Sequence, residues 1–557
     1  MKCSGAEILI KLLENEGVEY VSGIPGGFIL PIYDALYKSN ITHILARHEQ
    51  GAAFIAQGIS RTTDKVGVCF ATSGPGATNL LTAIADAKLD SIPLIAITGQ
   101  VPHCAIGTDA FQEVDAYGLT IPITKHNFLI RSVDELFTVI PEAFKIAMDG
   151  RPGPILIDIP KDIQNAVIEV ESFKSKEETF VERAPLNTST IEYMAEVINK
   201  SKRPIIYAGG GIIGSNSSVN LYKFAKRNTI PVALSLMGLG AYPTRDELSL
   251  GMLGMHGAPY TNYLMNEADL ILAFGIRFDD RATGNIKTFC PNASIIHIDI
   301  DASEINKLKS INLSMVANIK DFLEDILPFI NEDSRSEWIE RVSYFKNKYP
   351  LPSYKNDLHP TNIINFVSEN VSPDAIISTD VGQHQMWTAQ RYPFNIPKTF
   401  LTSGGLGTMG FGLPVAIGAA LANKDKEIIC FTGDGSILMN IQELATLADF
   451  GLNVKVIILN NHHLGLVRQQ QELFYKEHYI ASKFISNPDF KTIAKGFGIN
   501  SCDLAEEKEP LKKLKEILSM KGPYVINIPI EESENVFPMV SPGGTNTEMI
   551  GGGKFND

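Results

Sequence analysis

The sequence predicts an α/β protein built of three doubly wound, parallel-sheet domains. Three observations carry that reading. At 557 residues the chain is too long for one hydrophobic core and corresponds to about three domains of ordinary size. Short apolar runs of strand length alternate with segments whose apolar residues recur at helical spacing, which is the pattern of parallel strands covered by helices on both faces. Two polar, charged stretches, 169–189 and 331–357, interrupt the alternation and read as connections. The expected domains are therefore 1–168, 190–330 and 358–540, followed by a Gly-rich polar tail over 541–557 that should be mobile.

The composition, 44% hydrophobic and 20% charged, is that of a soluble globular protein. A net charge of −14, from 49 basic and 63 acidic residues, offers no field for nucleic acid or an anionic membrane, so small molecules are the expected ligands. The six cysteines show no Cys-x-x-Cys spacing, and Cys69 and Cys430 lie inside apolar runs, which suits a reducing cytoplasm. The N-terminus reads at once as an amphipathic helix containing acids, not as a signal peptide, and no run approaches the length of a membrane span.

In the first domain the spacing predicts helices over 4–16, 28–38, 49–60 and 76–88, and strands over 18–22, 41–46, 66–71 and 93–98. Glu49 opens a helix whose next residues, Gly51, Ala52, Ala53, Ala56 and Gly58, are small enough to let another backbone come very close. Taken alone, Glu49 reads as a carboxylate favoured by the helix dipole. Thr72–Asn79, TSGPGATN, opens the next helix with hydroxyls that read better as a cap than as an anion site.

The second domain begins near Thr190, and its strand Pro204–Ala208 runs into Gly209-Gly210-Gly211-Ile212-Ile213-Gly214. That run is formally a G-x-G-x-x-G, but no acid follows at the end of the next strand, so NAD binding is disfavoured. Arg277 and Arg281 have the chemistry to meet a diphosphate, and Asp299 ends a strand within reach of ribose hydroxyls; unaided, these read as ordinary surface charges.

In the third domain Glu427–Gln471 forms a β-α-β unit: an apolar run to Thr432, a break at Gly433-Asp434-Gly435-Ser436, a single helix through Ala448, and a second apolar run from Val454 to Leu459. Such crossovers join neighbouring parallel strands, so Asp434 and Asn461 fall side by side at the sheet edge where α/β proteins bind ligands. One carboxylate and one amide oxygen beside a Gly-rich turn suit Mg²⁺ on a diphosphate. On the tripeptide alone, Gly433-Asp434-Gly435 is as readily a turn with Asp434 capping the helix.

GDGS followed by Asn460-Asn461, with a helix and a strand between, resembles the cofactor motif of thiamin diphosphate enzymes. The wording is closer still to one branch. HEQGAA at 48–53, TSGPGATN, TGQV at 98–101, GTDAFQEVD at 107–115, TKHNFL at 124–129 and RPGPILIDIPKD at 151–162 stand in the order found in acetohydroxyacid (acetolactate) synthase catalytic subunits, and the likeness covers most of the chain.

The resemblance implies a thiamin pyrimidine-binding first domain, an FAD-binding middle domain and a diphosphate- and Mg²⁺-binding third domain. It assigns Asp434, Asn461 and the main-chain carbonyl of His463 to the metal, and Gly435 and Ser436 to the cofactor with them. Val381, Gly382, Gln383 and His384 would border the diphosphate, the Gly407 carbonyl would face the 4′-amino group, and Met409 would wedge the two rings into a bent shape. Glu49 would bond pyrimidine N1′, Phe111 and Gln112 would contact the bound intermediate, and Lys161 would stand at the substrate entrance. For FAD, implied in a structural role, the candidates are Arg151, Gly209, Gly210, Gly211, Met255, His256, Gly275, Arg277, Arg281 and Asp299; the RFDDR run at 277–281 is absent from flavin-free catabolic relatives.

The implied activity is decarboxylation of pyruvate and transfer of the two-carbon unit to a second 2-keto acid, pyruvate or 2-ketobutyrate, in branched-chain amino acid biosynthesis. The implied assembly is a homodimer or homotetramer with the active site between chains, and the resemblance allows a separate regulatory subunit. The alternatives are a flavin-dependent 2-keto acid oxidase or decarboxylase on the same scaffold, and a non-catalytic paralogue, against which the intact Glu49, Asp434 and Asn461 argue. One departure stands out: where the family reads V-R-Q-W-Q, this chain has Val467-Arg468-Gln469-Gln470-Gln471, so Gln470 replaces the tryptophan of the acceptor pocket.

Overall fold

The computed structural model describes residues 1–173 and 186–552. Three six-stranded sheets follow one another along the chain, and every pairing within them is parallel. The first contains Tyr20–Gly23, Thr42–Leu45, Gly67–Ala71, Leu94–Gln100, His126–Leu129 and Pro154–Pro160. Counted along the chain, its strands lie in the order 2-1-3-4-6-5, and the third sheet, from Ile376–Thr379 to Tyr524–Pro529, repeats that order. The middle sheet, from Pro204–Ala208 to Leu313–Val316, has the order 3-2-1-4-5-6, which reverses direction between its first and fourth strands.

Local chemistry explains where elements begin. Ser4 closes a capping box on the helix Gly5–Asn15, accepting from Glu7 N at 3.2 Å while Glu7 accepts from Ser4 N at 2.8 Å. On the opposite face of the first sheet lie Glu49–Thr62 and Pro75–Asp90. The small residues of Glu49–Thr62 meet a helix of the third domain, Gly412–Ala422: a Cβ on Gly58 would stand 2.2 Å from Val415 O, and one on Gly418 2.0 Å from Ile55 O. The apolar core under this face therefore runs from Phe54 and Leu80 into Val415, Ile417 and Val456 without a break. Glu443 of the third domain stitches the same contact from the side. It accepts the N–H groups of Arg47 and His48 at 3.0 Å each, just before Glu49.

Several elements differ from the sequence reading. The crossover helix after Gly433 is split into Asp434–Ile437 and Glu443–Asp449, because Asn440 turns its amide to Gly410 O at 2.7 Å and interrupts the helical ladder. The helix Pro75–Asp90 has Gly74 at its cap with no side-chain bond; the Ser73 hydroxyl goes to Gln100 Oε1 and Gln112 O instead. The polar stretch 331–357 contains a helix, Ser336–Lys348, that buries Trp338, Val342 and Phe345 on one side and seats the Trp338 indole N–H on Pro204 O at 3.0 Å. Of the tail, Met549–Ile550 pairs antiparallel with Met539–Val540, and Asn546 donates to Ala282 O at 2.8 Å. Residues 553–557, and 174–185 of the first connecting stretch, lie outside the described residues. Among the described residues no helix is long and apolar enough to cross a membrane, and all six cysteines are free.

Candidate active site

Strands Ile428–Gly433 and Val454–Asn460 pair with Gly433 opposite Leu459, so Asp434 and Asn461 leave adjacent strands at one sheet edge. They line a common pocket with about 450 Å³ of empty space. The Asp434 carboxylate is only 1% exposed, and burial pushes its pKa up against a 2.7 Å bond from Asn487 Nδ2. The Asn461 amide oxygen accepts His463 N at 3.1 Å across a turn in which His462 takes a left-handed φ of 58°. Among the described residues no group of three or more His, Cys, Asp or Glu side chains is placed to hold a metal ion. The donors here, one carboxylate with amide and main-chain oxygens, fit a hard cation that completes its shell with phosphate and water.

The opposite wall follows strand Ile376–Thr379, the neighbour of Ile428–Gly433. Val381, Gly382, Gln383 and His384 all line the pocket, and Ser436 Oγ donates to Val381 O at 3.0 Å, joining the two walls. At Gly382, with φ of 156°, a Cβ would lie 2.8 Å from the His384 ring. His384 is buried, its Nε2 has no partner, and burial drives its pKa down to about 3, so the ring is neutral. An unpartnered ring nitrogen beside a main-chain cradle fits an enclosed polar ligand. Gln383 is committed to the frame: it accepts from Asn461 Nδ2 at 3.1 Å and donates to Gln469 Oε1 at 3.0 Å. Gly435 and Met409 also line the pocket, and Gly407, with φ of 73°, lies 3.9 Å from Val381 Cγ1 by its missing Cβ.

Glu49, Phe111, Gln112 and Lys161 line no part of that pocket within their own chain. Glu49 accepts from Asn79 Nδ2 at 2.9 Å at the mouth of the TSGPGATN turn. Gln112 is held in a left-handed conformation (φ 62°), its carbonyl gripped by Ser73, while the neighbouring Phe111 ring is 80% exposed. The Lys161 ammonium stands 5.8 Å from the Phe28 ring centroid.

In the middle domain, a Cβ on Gly209 would stand 2.2 Å from Gly275 O and one on Gly211 2.6 Å from Gly275 Cα. These glycines let the turns after the first and fourth strands touch at the point where the strand order reverses, the place where such sheets bind nucleotides. Gly210 lies against Met237. Met255 N donates to Arg281 O at 2.8 Å, and buried His256 faces Pro538 O at 3.1 Å, burial lowering its pKa to about 4. Arg277 donates to Leu89 O at 2.8 Å and the Arg281 side chain is largely exposed. Asp299 accepts from Asp301 N at 2.9 Å. Arg151 is occupied by Ser91, Asp301 and Glu304, an ion-pair bridge between the first and middle domains.

Three thiamine pyrophosphate enzyme models match the chain: the N-terminal TPP binding domain over residues 3–119, the central domain over 191–326 and the C-terminal TPP binding domain over 380–528. The chain is 53% identical over 551 residues to the acetolactate synthase isozyme 1 large subunit of Escherichia coli K12, covering 98% of each. The chain belongs to the acetolactate synthase large-subunit family. It is 43% identical to the isozyme 2 large subunit of the same organism over 98% of this chain and 99% of that one, and 45% identical to the chloroplastic acetolactate synthase 1 of Oryza sativa subsp. japonica, over 98% and 87%. Its activity is that of this family, a thiamin diphosphate-dependent carboligase of branched-chain amino acid biosynthesis.

Within this acetolactate synthase fold the structure adds residues that sequence reasoning passed over. Asn487 donates at once to Asp434 Oδ2 and to Asn460 Oδ1, at 2.7 and 2.8 Å, although it stands 53 residues beyond Asp434 and no motif flags it. Gln469 is fully buried and binds Val536 N and O, tying the Gly465–Phe474 helix to the chain before the tail. Gln470, the departure from the family wording, is half-buried three residues beyond Val467, which lines the pocket. That spacing puts both on one helix face.

Proposed function

We propose that Asp434, Asn461 and the carbonyl of His463 hold Mg²⁺ on the diphosphate of thiamin, with Val381–His384 as the facing wall. The observation that carries this reading is the register of Gly433 with Leu459, which sets one carboxylate and one amide side by side at the edge of a pocket. When bound, thiamin diphosphate supplies the electron sink for loss of carbon dioxide from pyruvate and the nucleophilic carbon that joins the acceptor. The chain's own residues orient and protonate. Glu49, fixed by Asn79 on one side and by Glu443 through the turn before it, holds a proton at pyrimidine N1′. The Gly407 carbonyl would accept from the 4′-amino group, Met409 would pack against the cofactor, Gln112 and Phe111 would meet the substrate, and Lys161 would stand at its entry.

The two halves belong to different chains. Glu49 and Phe111 line no part of their own chain's pocket, and an 80% exposed Phe111 beside a conformationally fixed Gln112 supports a site completed by a second copy. The glycine contact at the switch point of the middle sheet supports FAD held by Arg277, Arg281 and Asp299, without a redox step. The enzyme works in the cytoplasm on pyruvate and a second 2-keto acid, and a regulatory subunit is compatible with the family's large-subunit designation.

The test is acetolactate formation from pyruvate with and without thiamin diphosphate and Mg²⁺, together with Glu49→Gln. Chelation abolishes turnover, and Glu49→Gln lowers it by about 10²-fold or more while leaving the melting temperature unchanged. A Glu49→Gln enzyme with full carboligation removes Glu49 from the site; turnover unaffected by chelation removes the metal.

A further inference from the structure

The first and third domains share one buried ion cluster that the reaction scheme above does not use. Arg61, on the helix Glu49–Thr62, donates through Nη2 to Asp86 at 3.0 Å and to Asp90 at 2.9 Å, both on the helix Pro75–Asp90; all three side chains are almost wholly buried. Two carboxylates sharing one guanidinium in a core is a costly arrangement, and replacement by apolar side chains of similar volume is often no less stable. Its remaining acceptors have a specific destination. Ser403 Oγ donates to Asp86, Thr408 N donates to Ser403 Oγ at 2.8 Å, and Thr408 Oγ1 reaches Asp86 at 3.4 Å. Asp90 accepts from the main-chain N–H groups of Gly404 and Gly405 at 3.1 and 2.7 Å, and Arg61 Nη1 donates to Thr402 O at 3.1 Å. The cluster thus fixes both ends of 402–408 and leaves Gly407 between them, at φ of 73°, with Met409 next in the chain and lining the pocket.

We infer that Asp86 is a positioning residue: through Ser403 and Thr408 it sets the height of the 402–408 loop, and so the placement of the Gly407 carbonyl and of Met409 against the cofactor's reacting ring. This inference rests on the reading of Gly407 and Met409 given above. The groups that anchor the loop come from the first domain and those that anchor the diphosphate from the third. Loosening the loop should therefore alter catalysis without altering cofactor affinity. Burial, with Asp90 beside it, raises the Asp86 pKa, and the Arg61 guanidinium and then the two loop hydroxyls act against that rise.

The experiment compares holoenzymes of wild type, Asp86→Asn, Ser403→Ala and Met409→Ala for kcat, KM for pyruvate, the dissociation constant of thiamin diphosphate and amide exchange over 402–409. In Ser403→Ala, exchange at Thr408 accelerates and kcat falls about tenfold to a hundredfold, the cost of a misplacement near 1 Å. The dissociation constant of thiamin diphosphate moves by less than about threefold, under 1 kcal/mol. Asp86→Asn shows the same split; should it fail to fold, Ser403→Ala decides alone. Unchanged kcat with accelerated exchange overturns the inference, as does unchanged exchange, or a loss of cofactor affinity that parallels the loss of kcat. If Met409→Ala also leaves kcat unchanged, the reading of the loop against the cofactor fails; if it lowers kcat while Ser403→Ala does not, only the positioning role fails.

Discussion

Gln470 is the residue for which we propose a bearing on which acceptor is used. It shares a helix face with Val467 at the pocket, and an amide there presents a thinner, polar wall than the indole found in the family at this place. One methylene in an apolar pocket is worth on the order of 1–3 kcal/mol of discrimination, so on this proposal losing the indole should turn strong selection between 2-ketobutyrate and pyruvate into slight selection. With the two acids in equal concentration, the native enzyme should form mainly acetolactate, and Gln470→Trp should shift product towards acetohydroxybutyrate. Equal product ratios in the two enzymes, with acetohydroxybutyrate already dominant, would remove Gln470 from acceptor choice. Asp158 shows a residue-scale effect of another kind. It is wholly buried between Thr98 Oγ1 at 2.7 Å and Gln100 Nε2 at 2.9 Å, and burial raises its pKa to about 7. From the ordinary carboxylate pKa up to about 7, the folded chain keeps a proton that the unfolded chain has released, so stability falls as pH rises through that window. Asp158→Asn removes this contribution, on the order of a few kcal/mol, leaving the slope of the same sign from Asp86. The difference between the denaturation midpoints at pH 5 and pH 7.5 should be smaller in the variant than in the wild type, the remainder coming from Asp86; an unchanged difference would show that Asp158 is ionised throughout.

Among the elements, the helix Glu49–Thr62 was the most legible, since a run of Gly and Ala behind a first-turn acid lets another backbone come very close, and within the chain Gly412–Ala422 does so. Gly418→Ala would place a methyl 2.0 Å from Ile55 O, with backbone on both sides and nothing able to swing aside. The expected cost is about 1–3 kcal/mol or more, read as a lower melting temperature; a variant as stable as wild type would mean that the helices can separate. The strand ends carrying Asp434 and Asn461 were equally readable, because a crossover between apolar runs fixes its own geometry. What escaped the sequence depended on distant partners. The break in the crossover helix needs Gly410 to receive Asn440, and the expected cap on Pro75–Asp90 was lost because Ser73 finds Gln100 and Gln112. The helix Ser336–Lys348 was masked by its charged outer face, although Trp338, Val342 and Phe345 already stood at helical spacing.

At the level of the whole molecule, two sheets of identical strand order flank a middle sheet whose order reverses at a glycine contact. The flavin proposed there takes no part in net oxidation, so its expected signature is physical: the purified protein is yellow, and denaturation releases the chromophore. Colourless, dialysed protein with full activity in the absence of added flavin would refute this use of the middle domain. The contact between the outer domains bears on biogenesis as well. Glu49–Thr62 leaves the ribosome about 350 residues before Gly412–Ala422 exists to cover it, an interval of roughly 20–70 s at bacterial to eukaryotic elongation rates. During that interval the first domain presents a bare stripe of glycine, alanine and phenylalanine to solvent. Nascent chains stalled before residue 412 should therefore bind holdase chaperones, and the first domain expressed alone should aggregate unless the missing helix is supplied in trans.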